Sequence, residues 1–440
     1  MMTATAHSVS NDATDGLGRR FARAMDRLGP FEAGPHMAVA VSGGADSTAL
    51  ALLARDWTAK QDGRVTALIV DHGLRDGSAA EAAGTAARLQ SLGIAAHILT
   101  WDGAKPATTV QAAARAARYG LLRNWCRTAG VLHLLAGHHG DDQAETHLMR
   151  QSRGGGFGAA GMSALVSFPE VRLLRPLLGI RHGALTAYLR AKGVAWVEDP
   201  SNANTDFERV RIRRRLAADA GLADRALAEA HAAGAARRKV EDAVNRALAE
   251  TVSPHPLGFA HLDRRAFSGL APDVAARLAA RLAQVLGGAD HAPPAARADR
   301  LARRIAGGGA FPGASLGRCR FLADKAGRVL VCRAGRGLPD PVVAAAGRVA
   351  EWDGRFVIDL PAAVLASGSR LAPLGAEGWR QIPKDMRRAS GLPPAVARTL
   401  PALFENGILL AHAVPGGGAE GLSIRFRSKN TLAFNGFCIA

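Results

Sequence analysis

Residues 37–48, MAVAVSGGADST, run an apolar strand directly into a glycine pair, and this junction restricts the fold more than any other stretch. Met37 to Val41 suit a strand buried on both faces and Ala45 to Ala54 suit the opening of a helix, so Ser42 to Ser47 form a loop at a helix N-terminus. Such a loop is an anion cradle. Gly43 and Gly44 let the backbone turn and present N–H donors, Ala45 keeps the approach open, and Ser42 and Ser47 add hydroxyls. Asp46 would repel a bound phosphate unless a divalent cation lay between them, which points to Mg²⁺ carried on ATP. The lysine of a Walker A loop is missing from this pattern. The cradle therefore fits the β,γ-pyrophosphate of ATP as a leaving group, with attack on the α-phosphorus and release of AMP.

At 440 residues the chain is longer than one core supports, so two or three domains are expected. Its 56 Lys and Arg against 38 Asp and Glu leave a net charge of +18, which favours a polyanionic partner. The first residues lack a basic segment followed by an apolar core, and no apolar run reaches a membrane-spanning length, so a cytoplasmic chain without membrane contact is expected. Cys126, Cys319, Cys332 and Cys438 are too scattered for a zinc site, an iron–sulfur cluster or a disulfide framework.

After a polar start, expected to be disordered over 1–19, residues 20–217 alternate strand and helix patterns as in a doubly wound parallel sheet of the α/β class. Strands are expected at Met37–Val41, Val65–Val70, Ala95–Trp101 and Val131–Ala136, with helices at Ala79–Leu92 and Thr109–Thr128. Ligands of such sheets bind at the carboxyl ends of the strands. Polar residues gather there: Ser42 to Ser47, then Asp71 and His72, then His138 to Glu145. Residues 218–340 read as mainly helical, with long patterns at Leu222–Thr251, Val274–Leu286 and Ala295–Ile305 and a hairpin pairing Cys319–Leu322 with Val329–Cys332. Residues 341–440 read as a small α+β domain.

GHHGDDQAET, Gly137 to Thr146, follows the fourth strand and opens a helix, bringing His138, His139, Asp142 and Glu145 to the edge that carries the phosphate loop. Asp142 and Glu145 are spaced to share a helix face and suit a cation or an ammonium group. Capping of the helix by Asp141 explains the acids but not the paired histidines. In RAARYGLL, Arg115 and Arg118 share a helix face, and a guanidinium there suits a developing negative charge or an RNA phosphate. Arg153 lies in the glycine-rich run Gln151 to Met162, read as a mobile lid, and Arg213 and Arg214 lie in the basic stretch FERVRIRRRL, read as an RNA-facing helix.

SGGADS matches the SGGxDS signature of the PP-loop ATP pyrophosphatases without a mismatch. Together with DHGLR, RAARYGLL, GHHGDDQAET, GFGAAGM and WVEDPSN, in that order, it resembles the N-terminal domain of the bacterial tRNA(Ile)-lysidine synthase family over about half the chain. Leu371 to Val414 is more faintly similar to the C-terminal domain of that family. The resemblance implies an enzyme that adenylates the C2 oxygen of the wobble cytidine in a CAU-anticodon tRNA(Ile), after which the ε-amino group of free lysine displaces AMP. It implies ATP and Mg²⁺ bound by Ser42, Gly43, Gly44, Ala45, Asp46, Ser47, Asp71 and His72, with catalysis by Asp46, Arg118, His139 and Asp142. Lysine and tRNA would fall to His138, Asp142, Glu145, Arg115, Arg153, Arg213 and Arg214, and a homodimer is compatible with it. The family often places Arg-Asn after the DPSN segment, whereas here Val210 follows Arg209. The alternatives are a thiolating PP-loop enzyme, which would normally need a cysteine pair, and a non-catalytic RNA-binding protein on a degenerate nucleotide-binding fold.

Overall fold

The computed structural model describes residues 4–438 except 75, 104–109, 199–206, 220, 325, 348, 366–367, 418–421 and 435. The chain separates into two compact units, Met1–Arg238 with Asn435–Ala440, and Lys239–Phe434. Three domains are expected from the sequence. The division between these two units falls inside one continuous helix.

The first unit opens with helix α1 (Ala4–Leu28), followed by β1 (His36–Val41), α2 (Ala45–Thr58), β2 (Arg64–Asp71), α3 (Ser78–Ser91) and β3 (Ala95–Thr100). It continues through α4 (Val110–Thr128), β4 (His133–Ala136), α5 (Gly140–Ser152), β5 (Leu165–Ser167), β6 (Arg172–Leu174), α6 (His182–Ala191), α7 (Phe207–Ala218) and the start of α8 (Leu222–Thr251). Helix α1 replaces the disorder expected over 1–19, of which residues 1–3 lie outside the described residues. Its residues Leu17, Phe21, Met25 and Leu28 recur at helical spacing and are buried in the main core of this unit.

The sheet order is β3-β2-β1-β4-β6-β5, parallel except for β5. β1 and β2 read as near-continuous apolar runs because helices cover both faces. Strands β5 and β6 have only three residues each, too few to announce a period in the sequence. Chain order reverses between β1 and β4, and the crevice at that reversal lies beyond the carboxyl ends of both strands. The carbonyl of Cys438 accepts from Ala164 N at 2.9 Å, and its own N–H reaches Ser163 Oγ at 3.2 Å, so the chain terminus belongs to this unit.

In the second unit, β7 (Val252–His255), β8 (Phe259–Leu262), α9 (Arg264–Ser268), α10 (Pro272–Leu286), α11 (Ala295–Ala306), β9 (Ala314–Leu316), β10 (Cys319–Ala323) and β11 (Val329–Arg333) build a five-stranded sheet with helices. The expected hairpin pairs Cys319 with Arg333 and Ala323 with Val329. Next come β12 (Val342–Val343), β13 (Val349–Trp352), β14 (Phe356–Asp359), β15 (Arg370–Pro373), α12 (Gly375–Gln381), α13 (Lys384–Ala389), α14 (Pro394–Ala397), β16 (Pro401–Glu405), β17 (Ile408–His412) and β18 (Ser423–Phe426). These strands form one four-stranded and one three-stranded sheet around a second core. Asp353 is buried among Arg318, Arg333 and Arg355, which donate to its carboxylate at 2.6, 2.9 and 2.8 Å.

Candidate active site

Gly43 holds φ at +87°, and a Cβ there would come within 2.7 Å of Thr85 Oγ1, so the loop needs glycine for both conformation and space. Ser47 Oγ donates to Gly44 O at 3.1 Å and accepts from Ser42 N at 3.2 Å, which fixes the loop from within. The N-cap of α2 is Gly44, and no side chain caps the helix. Its first N–H groups are thus available to an anion. Gly137, just after β4, lies where a Cβ would approach Ser47 N and Cα to 3.3 Å, so its lack of a side chain lets the end of β4 meet the first turn of α2. Val197 N donates to Gly43 O at 2.9 Å and ties the WVE segment to the cradle.

A cavity of about 900 Å³ opens over this loop, lined by Ser42, Gly44, Ala45, Asp46, Ser47, Asp71, His72, Arg118, His138 and His182, among others. The carboxylate of Asp71 is occupied locally, accepting from Gly73 N at 2.9 Å and Ser78 Oγ at 2.7 Å, so it shapes the turn into α3. His72 packs edge-on to Trp101 at 6.2 Å. Arg115 and Arg118 stand over the Tyr119 ring, at 5.2 and 5.4 Å, on the face of α4 expected from their spacing.

The adjacent histidines occupy opposite electrostatic settings. Burial drives the pKa of His138 down to about 3, with Arg175, Arg115 and Arg118 adding repulsion, so this ring is neutral. Burial also opposes charge on His139, but Asp141, Asp142 and Asp46 outweigh it and hold its pKa above the usual value. His139 caps α5 in a reciprocal box: its ring accepts from Asp141 N at 3.2 Å, and Asp142 accepts from His139 N at 3.2 Å. Asp141 accepts from Arg181 Nε at 2.7 Å and His182 N at 2.8 Å, interactions that overcome its burial and hold its carboxyl well below the usual range. Asp46 meets His182 Nδ1 at 2.7 Å and lies 3.6 Å from His139 Nε2.

Three expectations are revised. Glu145 is buried and accepts from Arg213 Nε at 2.7 Å, with Arg209 Nε at 3.4 Å, so an acid expected at the substrate and a base expected at RNA neutralise one another. Burial imposes that pairing, because an isolated carboxylate would carry a large desolvation cost there. Arg153 is ion-paired with Glu208. The glycine-rich run is a short 3₁₀ turn, Gly156–Ala160, rather than an open lid. Arg150 donates to Gly161 O at 2.6 Å, and Gln143 exchanges two hydrogen bonds with Met162. Arg214 is exposed on α7, as expected.

His182 and Arg181 were beyond reach of sequence reasoning. They stand in an unremarkable stretch, RHGALTAYL, and only the return of α6 to the sheet edge brings them to Asp46 and Asp141.

The model of the PP-loop domain matches residues 17–220. A tRNA(Ile)-lysidine synthase of Mesorhizobium japonicum is 39% identical over 84% of this chain and 83% of its own length. Those of Ruegeria pomeroyi and Rhizobium meliloti are 34% and 38% identical, over 88% and 73% of this chain and 90% and 72% of theirs. With the PP-loop domain matched over residues 17–220 and relatives 34–39% identical over most of its length, the chain belongs to the tRNA(Ile)-lysidine synthase family.

Proposed function

We propose that the chain ligates free lysine to C2 of the wobble cytidine of tRNA(Ile) with the CAU anticodon, consuming ATP and releasing AMP and pyrophosphate in the cytoplasm. The observation that carries this reading is the shared cavity: a helix N-terminus without a side-chain cap and a set of carboxylates with imidazoles face one space of about 900 Å³. ATP suits the cradle, since Gly43 turns the loop at positive φ, the first N–H groups of α2 carry no side-chain cap, and Ser42 and Ser47 stand there with their hydroxyls. Asp46 would hold the divalent cation that accompanies ATP, and that ion would supply charge neutralisation as pyrophosphate departs.

Cytosine C2 resists amines until its oxygen becomes a leaving group, so adenylation must precede attack. Arg118, at the cavity wall, suits the charge that develops on the α-phosphate, with Arg115 beside it. His138, kept neutral, can hydrogen-bond or stack on the base without adding charge. Lysine arrives as a cation and needs a carboxylate to orient it and a base to take its proton. Asp142 serves the first role and a histidine of the His138–His139 pair the second, the ring in turn shedding the proton to the surrounding carboxylates or water. Glu145 joins Asp142 only by exchanging Arg213 for the incoming ammonium. Arg214, with Arg153 and Arg213 once released from their acids, faces tRNA phosphates.

The deciding assay incubates the protein with bulk tRNA, labelled lysine and ATP while tracking nucleotide products. Stoichiometric incorporation with equimolar AMP is expected. AMP formation without lysine uptake would redirect the chemistry to another nucleophile, and absence of both would end the enzymatic reading.

A further inference from the structure

The donors around Asp46 are not those that magnesium prefers. Asp46 Oδ2 lies 3.6 Å from His139 Nε2, Asp46 Oδ1 lies 2.7 Å from His182 Nδ1, and one ligand atom from each residue falls within 4.8 Å of the other two. Donors bound at about 2.0–2.1 Å to one tetrahedral ion stand about 3.4 Å apart. The His139–Asp46 edge already has that spacing. The half-exposed ring of His182 stands closer, with Nδ1 2.7 Å from Asp46 Oδ1, and would have to draw back to admit the ion at the third corner.

Each ligand is also held from behind. Asp141 stands behind both rings: its Oδ2 lies 3.5 Å from His139 Nδ1, where a ring with Nε2 on an ion can donate its remaining N–H, and it accepts from the backbone N–H of His182 at 2.8 Å. Supporting contacts of this kind fix the direction of metal-binding imidazoles. Among the described residues, the ion pairs of Asp46 are with these two histidines and with no arginine or lysine. Two imidazoles and a carboxylate suit borderline first-row ions, whereas Mg²⁺ favours an all-oxygen octahedron.

We propose that Asp46, His139 and His182 form a site for a transition-metal dication, of the Mn²⁺, Co²⁺ or Zn²⁺ class, selective over Mg²⁺ at the mouth of the phosphate cradle. The ion's contact with nucleotide phosphates rests on the reading of the loop as an ATP site, but its binding to the protein does not.

The test titrates Co²⁺ into the full-length, nucleotide-free protein, reading visible d–d absorption and stoichiometry by equilibrium dialysis. One Co²⁺ per chain, retained in a large excess of Mg²⁺, is expected. His182→Ala should weaken binding about tenfold or more, and His139→Asn, which keeps a helix cap, should do the same. Absence of stoichiometric binding, ready displacement by Mg²⁺, or unchanged Co²⁺ affinity in His182→Ala would overturn the site. A fluorescent ATP analogue is tested in parallel: its failure to bind beside intact Co²⁺ binding would remove the nucleotide reading and leave the metal site standing.

Discussion

Asp353 in the second unit and Asp46 in the first are both acids among basic side chains, yet they are built for different purposes. Asp353 is fully buried and surrounded by three guanidinium groups, two of them about 1% exposed. The spare donors are satisfied by carbonyls: Arg333 reaches Ala334, Arg336 and Gly337, and Arg355 reaches Thr399. Asp46 instead keeps a side-chain exposure of 28%, and among the described residues its ion pairs are with imidazoles, groups that can gain or lose a proton. A saturated, desolvated carboxylate fixes structure, while a partly wet one with titratable partners keeps coordination capacity for a ligand.

The largest test of this contrast is Asp353→Ala. It leaves buried guanidinium groups without a counter-charge, and a loss of about 3–5 kcal/mol in chemical denaturation is expected. A loss under about 1 kcal/mol would mean that the carbonyls alone hold the arginines. Asp46→Asn should do the reverse, lowering AMP formation by about 10²–10³-fold. Its stability should change by no more than about 0.5 kcal/mol, the range of surface substitutions. Normal turnover in that variant would take Asp46 out of the mechanism.

The histidine pair gives a smaller, pH-resolved test. His138 has a folded pKa of about 3 against an ordinary 6.5, so the unfolded chain takes up its proton first and stability falls as pH drops from about 6.5 toward 3. His138→Gln should flatten that acid limb. The pKa of His139 is raised, so its contribution is complete below 6.5 and is lost as pH rises through the folded value. His139→Asn should remove this alkaline loss, and identical pH–stability curves for wild type and both variants would erase the distinction between the rings. The smallest expected effect belongs to the exposed end of α7. Arg214→Gln with Arg215→Gln should reduce the salt slope of tRNA binding by up to about 2, one unit for each phosphate no longer neutralised, and an unchanged slope would return these residues to solvent.

The strand–loop–helix at Met37 to Ala54 was legible because glycine, hydroxyl and strand signals coincide within a few residues. Helix α8 was legible end to end for a related reason, its period being long and uninterrupted. Helix α1 was missed because its polar first half hides the stripe from Leu17 to Leu28. His182 and the Asp353 cluster were missed for a different reason. Their partners are separated along the chain and meet only through tertiary packing, which local patterns do not encode. The charge count was also partly misleading, since Arg333 and Arg355 contribute to the net +18 from the interior, where no polyanion reaches them.

The return of Cys438 to Ser163 and Ala164 bears on synthesis. A ribosome delivers the sheet and its phosphate loop early, but the latch across Ser163 closes only once 275 further positions have been translated. The first unit therefore completes its contacts only after the second has been translated, so folding of the earlier-made unit waits on the later one.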